Sequence, residues 1–397
     1  MRVCLETSSL RSRFAGIAYY AWFLADHLDR MAPSDIDLIG FDGLNFHPID
    51  RDYLRAARGR NNTSALQRGG GASGHRLYSA LRNYRIVRNG YRKLKQLRFS
   101  MESKSIDVVH AINYMAPTNR RRGVIPLVHD ISHERYPETH PRERVEWLRA
   151  RLASLGEYPI INTVSQFSAD EIVDFYDIDR AKIRITYPGL NPVFGAAAAD
   201  LEVDAAVLRE HGLRANGYFV AVGTLEPRKN LGTILTAFRS LARHERRAFP
   251  LVLIGQPGWG RISLGETAGM VTEGSLKILG YQSDERLAVL YRNARTVLFP
   301  AIYEGFGIPT VEALISGKRP LLSDIAVMRE VAADQADYVD PRDPDAWAVE
   351  IRRVMGDSDY DRQGSGEARV ARARHFDWDR TAAATLDMYR DARALFG

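Results

Sequence analysis

The stretch YEGFGIPTVEALISGKRP, residues 303–320, follows a short apolar run, TVLFPA (296–301), and its reading decides the fold. An apolar strand, a loop with two glycines, and an apolar helix entered through Pro309 make one βα unit, proline being suited to a first helical turn. The backbone N–H groups of Gly307, Ile308 and the residues after them then point out of a helix N-terminus. Such a terminus carries roughly half a positive charge and favours phosphate. Glu304 sits on the incoming loop and Glu312 falls within the first turn or so of the helix, so both can line one pocket. A carboxylate accepts well from vicinal hydroxyls, such as those of a ribose or a sugar ring. Taken alone, the spacing of the two acids fits equally well a pair of exposed first-turn carboxylates that favour the helix dipole; the glycines and the proline shift the balance toward a pocket.

Working outward, the same unit repeats. MRVCLETSS at the start reads as a first strand, and IDVVHA (106–111), VIPLVHD (124–130) and PIINTVS (159–165) as further strands, with helices over 142–155 and 168–175. Each apolar run stops where polar residues begin, the pattern of parallel strands that bind ligands at their carboxyl ends. YPGLNPVFGAAAAD (187–200), with two prolines and two glycines, marks a domain boundary. A second array follows: YFVAVG (218–223), LVLIG (251–255), LKILGY (276–281), TVLFPA, RPLLSD (319–324) and DYVD (337–340). Between the first two lies a helix with Asn230 as its cap and Leu231, Ile234, Leu235, Phe238 and Leu241 on one face. The expected fold is α/β: two Rossmann-like doubly wound domains in tandem, 1–193 and 194–378, with a terminal helix over 379–397 packing back on the first.

The 397 residues, 45% hydrophobic and 26% charged, suit a folded two-domain protein and exclude a disordered or fibrous chain. The single cysteine, Cys4, has no partner for an internal disulfide and reads as buried packing. An acid at Glu6 precedes any long apolar region, and no apolar run approaches the roughly 18 residues of a membrane span, so a cytoplasmic location is expected. Net charge is +6, but residues 51–100 hold thirteen Lys or Arg against one acid, Asp52, which leaves the rest of the chain acidic. Residues 58–75, rich in Gly, Asn and Ser, read as a mobile loop. The apolar and basic spacing after it predicts an amphipathic basic helix over 76–98. That helix suits an anionic membrane surface at the inner face of the membrane, or is simply a solvated face. No nucleic-acid motif accompanies the charge.

A second candidate site follows strand YFVAVG, where TLEPRKN places Arg228 and Lys229 just before a helix. Two cations there suit a diphosphate and stabilise the charge that develops as a nucleoside diphosphate leaves. His129, at the end of VIPLVHD in the other domain, would face that pocket across the cleft, although a lone histidine is more often structural.

With these pieces together, the chain resembles the retaining nucleotide-sugar glycosyltransferases of family 4, which have the GT-B fold. The resemblance covers nearly the whole length. It rests on FAGIAYYAWFLADHL, VHDISHERYPE, NTVSQFSADEI, ITYPGLNPVF, VAVGTLEPRKNL, LGYQSDERLAVLY and, most specifically, YEGFGIPTVEALISGKRPLLSDIAVMREV. It implies that Glu312 binds the donor ribose and that Glu304 holds hydroxyls of the transferred sugar. The backbone at Phe306, Gly307 and Ile308 would meet sugar and diphosphate, and Arg228 and Lys229 would clamp the diphosphate. Gly16 would lie near the phosphates and His129 near the reacting carbon. No metal or other cofactor is implied. Two departures stand out: the first loop offers only Gly16 after Ala15 where many relatives have a glycine pair, and Thr224 occupies a donor-binding position where many have Arg.

The resemblance implies a hexosyl transfer in surface polysaccharide synthesis, mannose from GDP-mannose before UDP-glucose or dTDP-rhamnose, to a glycan or lipid-linked acceptor. A nucleotide-sugar epimerase on the same architecture, needing no acceptor, is the competing enzyme. A basic membrane-surface binding protein is the competing class.

Overall fold

The structure, a computed structural model, describes residues 1–11, 16–66, 98–100, 105–114, 123–195, 200–259, 267–360 and 366–396. It contains two sheets. The first comprises β1 (Arg2–Glu6), β2 (Asp37–Phe41), β3 (Phe46–Pro48), β4 (Val108–Ala111), β5 (Val124–Val128), β6 (Ile161–Thr163) and β7 (Ile183–Ile185), in the order β3-β2-β1-β4-β5-β6-β7. The second comprises β8 (Phe219–Val222), β9 (Leu251–Ile254), β10 (Leu276–Gly280), β11 (Thr296–Phe299), β12 (Leu321–Ser323) and β13 (Asp337–Val339), in the order β10-β9-β8-β11-β12-β13. Every pairing is parallel except β2 with β3, an antiparallel edge. β4, β5, β9 and β11 are buried along their whole length, because helices cover both faces of a parallel sheet and leave no solvent side.

In each sheet the strand order reverses at one place, between β1 and β4 and between β8 and β11. Chain crossing out of a sheet at such a switch point opens a crevice at the strands' carboxyl ends, where α/β proteins bind ligands. The stretches singled out above, after β8 and after β11, sit at the switch point of the second sheet.

The terminal helix Trp378–Phe396 lies against the helix Gly16–Met31 of the first domain, with the Trp378 and Phe23 rings stacked at 5.4 Å and His27 Nδ1 2.7 Å from Asp379. Tyr389 reaches the buried His110 of β4 at 2.8 Å. Cys4 is buried in β1. Among the described residues no helix is long and apolar enough to cross a membrane.

Two expectations are corrected. Residues 58–66 are not loop: the helix Arg51–Leu66 runs through them. Asp50 accepts the Tyr53 N–H at 2.7 Å, Leu54 and Ala57 are buried, and Trp22 donates to the Leu54 carbonyl and lies under the Arg58 guanidinium, so tertiary packing overrides a glycine- and asparagine-rich composition. The remainder of that loop, and the basic helix expected over 76–98 apart from Arg98, lie outside the described residues. Asn230 does not cap through its side chain. It adopts φ 54° and spends its amide on the Pro300 and Pro341 carbonyls, tying the turn to the ends of β11 and β13. Sequence reading also passed over β2, β3 and β7, two of them only three residues long.

Candidate active site

The loop after β11 is held by close approach. A Cβ on Gly305 would lie 2.1 Å from the His129 carbonyl oxygen, so only glycine lets this loop touch the end of β5 in the other domain. Ser165 and Ser168 donate to the Gly305 carbonyl at 2.6 and 3.0 Å, from the start of the helix Gln166–Tyr176. The Gln166 and Phe167 N–H groups are accepted by Glu330 of the second domain, each at 2.8 Å. Gly307, at φ 92°, turns the chain into the helix Ile308–Ile315, with Pro309 in its first turn. Phe306 is buried and packs its ring on Phe376 at 5.1 Å.

Glu304 is 7% exposed and stands against both expected cations: Lys229 Nζ meets one carboxylate oxygen and Arg228 lies 3.0 Å from the other. Arg228 also donates to the Tyr303 carbonyl and to Glu226, both at 2.8 Å. Burial pushes the Glu304 carboxyl up, but Arg228 and Lys229 outweigh it and hold the group below the usual carboxylate range. Asp130, behind Arg228, is likewise raised by burial, then lowered by Arg228 and the Ser132 hydrogen bonds, ending at about 2. The two cations that would clamp a diphosphate are thus oriented in advance by acids. Arg228 Nε is buried without a hydrogen-bond partner, a donor left unused.

Glu312, 8% exposed, is in a different place. Burial, with Asp284 adding to it and Tyr291 opposing, raises its carboxyl to about 8, so it is neutral at pH 7. Tyr19 of the first domain and Tyr291 stand near it with hydroxyls that make no well-formed hydrogen bond, and Asp284 is held by Asn191 at 3.0 Å. Hydroxyl donors gathered around a neutral acid suit the vicinal hydroxyls of a ribose.

The other expected positions are placed as follows. His129 is partly buried, its Nε2 3.0 Å from the Ile112 carbonyl and its ring edge-on to Tyr20; desolvation lowers its basicity, so it is a neutral donor to the backbone. Gly16, at φ 36°, opens the helix Gly16–Met31, and among the described residues no atom lies within 4 Å of where its Cβ would sit. Thr224 packs under the loop at Gly258, its methyl filling the space a Cβ there would need. Glu226, Asp130, Tyr291 and Asp284 were not singled out by sequence reading. Glu226 lies inside the TLEPRKN stretch and Asp130 next to His129, so proximity was the available signal.

Residues 14–194 match the family model Glycosyltransferase Family 4, and residues 209–370 match Glycosyl transferases group 1. The chain is 30% identical over 394 residues to O-antigen chain mannosyltransferase B of Escherichia coli, covering 98% of this chain and 100% of that one. The chain belongs to the family-4 glycosyltransferases. Solved structures similar to this glycosyltransferase include sucrose-phosphate synthase from Thermosynechococcus elongatus, with a TM-score of 0.69, 16% identity and full coverage of both chains. The Anabaena protein HepE in complex with UDP-glucose is similar at a TM-score of 0.69 and 14% identity, covering 98% of this chain and 100% of that one. These likenesses fix the fold as GT-B, two Rossmann-like domains around a cleft.

Proposed function

We propose that this glycosyltransferase moves mannose from GDP-mannose to a glycan or lipid-linked acceptor of a surface polysaccharide, with retention of configuration and without a metal ion. The observation that carries the reading is the Arg228, Lys229 and Glu304 cluster beside the helix N-terminus at the β8/β11 switch point. It occurs in a chain similar end to end to an O-antigen chain mannosyltransferase. Glu304 exchanges part of its ion pairing for the sugar hydroxyls as the diphosphate takes over the two cations. Glu312, with Tyr291, receives the ribose. The acceptor oxygen bonds to C1 on the face from which the diphosphate departs, the C1–O bond to phosphate breaks, and the leaving phosphate oxygen takes the acceptor's proton, giving the mannoside and GDP. Arg228, Lys229 and the helix N-terminus stabilise the departing charge, the work a divalent ion does elsewhere.

Thermal unfolding with GDP, UDP, ADP, dTDP and CMP tests the donor. A ligand at about 100 times its Kd adds roughly 2.7 kcal/mol to stability. GDP is expected to stabilise the protein above the others; stabilisation by UDP or dTDP instead would replace mannose with a sugar carried on that base.

A further inference from the structure

One carboxylate of the second domain completes a helix of the first. Glu330, partly buried in the helix Ala326–Ala332, accepts the Gln166 and Phe167 N–H groups, one on each oxygen. These are the first two N–H groups of the helix Gln166–Tyr176, which have no acceptor within that helix. The carboxylate also stands at the positive end of the helix dipole, which favours it further. Arg372, from the helix Gly366–Arg374, donates to the Glu330 and Val331 carbonyls, so the carboxylate starts from a fixed backbone.

The helix that Glu330 holds brackets Glu304. On one side, Ser165 Oγ donates to the Gly305 carbonyl while accepting the Ser168 N–H at 2.9 Å, and Ser168 Oγ reaches the same carbonyl. On the other side, the Tyr303 ring packs on Phe167 at 5.4 Å and its hydroxyl donates to Glu171 at 3.3 Å. Both chain neighbours of Glu304 therefore rest on one helix of the first domain. Arg228 donates to the Tyr303 carbonyl and pairs with the Glu304 carboxylate, so a shift of this loop moves the acid and its cation out of register together. Ser165 and Ser168 are fully buried, and the loop meets them directly.

Resting on the glycosyltransferase reading, we propose that Glu330 is a positioning residue for Glu304, acting through the N-terminus of the helix Gln166–Tyr176. The carboxylate sets the helix end, the helix end sets Tyr303 and Gly305, and these set the acid between them. Two measurements on the full chain test this. In hydrogen-exchange mass spectrometry without ligand, Glu330→Ala should speed exchange roughly tenfold or more at 303–307 as well as at 166–168. In turnover of GDP-mannose, well below the unfolding temperature, Glu330→Ala should lower kcat roughly ten- to hundredfold, with KM and the GDP thermal shift unchanged. Glu330→Asp, which keeps the charge at the helix end, should restore part of both effects. Because the two residues act in series, Glu330→Ala with Ser165→Ala should lose no more kcat than the worse single variant. Should Glu330→Ala fail to fold, Glu330→Gln, of the same shape, carries the same expectations. Faster exchange confined to 166–168, a kcat that is unchanged while the unfolding temperature falls, or additive losses in the double variant would each overturn the positioning role. Absence of GDP-mannose turnover in wild type would sink the mannose reading alone, since exchange at 303–307 judges Glu330 without any donor.

Discussion

Glu304 and Glu312 lie eight positions apart and are buried to nearly the same degree, yet one is ionised and the other neutral. Glu304 has two cations within ion-pair distance and stays ionised; Glu312 has only hydroxyls and another acid, and holds its proton to about 8. Burial raises both, so the neighbours decide. One half of the candidate site is a charged cluster with its ion pairs already in place, and the other is a pocket in which a neutral acid meets tyrosine hydroxyls. The pair is legible as a motif, but its division of labour is set by residues from other strands and the other domain.

The largest effects should break the clamp. Glu304→Ala leaves Arg228 and Lys229 buried with too few acids; breaking a buried pair costs about 3–5 kcal/mol, so Glu304→Gln is the better probe of chemistry. Removing one such preorganised group is expected to lower kcat by roughly 10²–10³-fold, read as GDP release from GDP-mannose. Lys229→Met should lower kcat by a comparable or smaller factor within that range. A loss of turnover under tenfold in both would place the reacting centre elsewhere.

Next comes the pH dependence of Glu312. Its folded-state pKa, raised to about 8, exceeds the ordinary carboxylate value, so between the two the folded chain holds a proton that the unfolded chain has released. Stability therefore falls as pH rises from about 5 to 8, by on the order of 2–4 kcal/mol, and levels off above. Glu312→Gln should remove that slope in denaturant titrations at successive pH values; an unchanged slope would show that Glu312 is not the titrating group. The smallest effect belongs to Tyr291→Phe. Its hydroxyl makes no well-formed hydrogen bond, so stability should change by under about 1 kcal/mol, whereas nucleotide binding should weaken.

Much of this was readable in the sequence because parallel strands buried on both faces leave continuous apolar runs, and their polar ends announce the crevice. The runs ending at Gly223 and Ala301 led directly to Arg228, Lys229 and Glu304. What was hidden depends on contacts between distant residues. Asp130 gained its meaning only through Arg228, nearly a hundred positions away, and Asn230 looked like a cap until the Pro300 and Pro341 carbonyls claimed its amide. The helix Arg51–Leu66 overrode its own composition through packing on Trp22. No local pattern marks Glu330 as the partner of a helix in the other domain, since that is a property of everything around it.

The most direct measurement is calorimetric GDP binding alongside GDP-mannose turnover for Glu304→Gln and Glu312→Gln. The clamp-and-pocket division predicts that Glu304→Gln binds GDP close to wild type yet fails to turn over, while Glu312→Gln loses GDP affinity. Equal loss of GDP binding in both variants, or turnover that survives in Glu304→Gln, would contradict it.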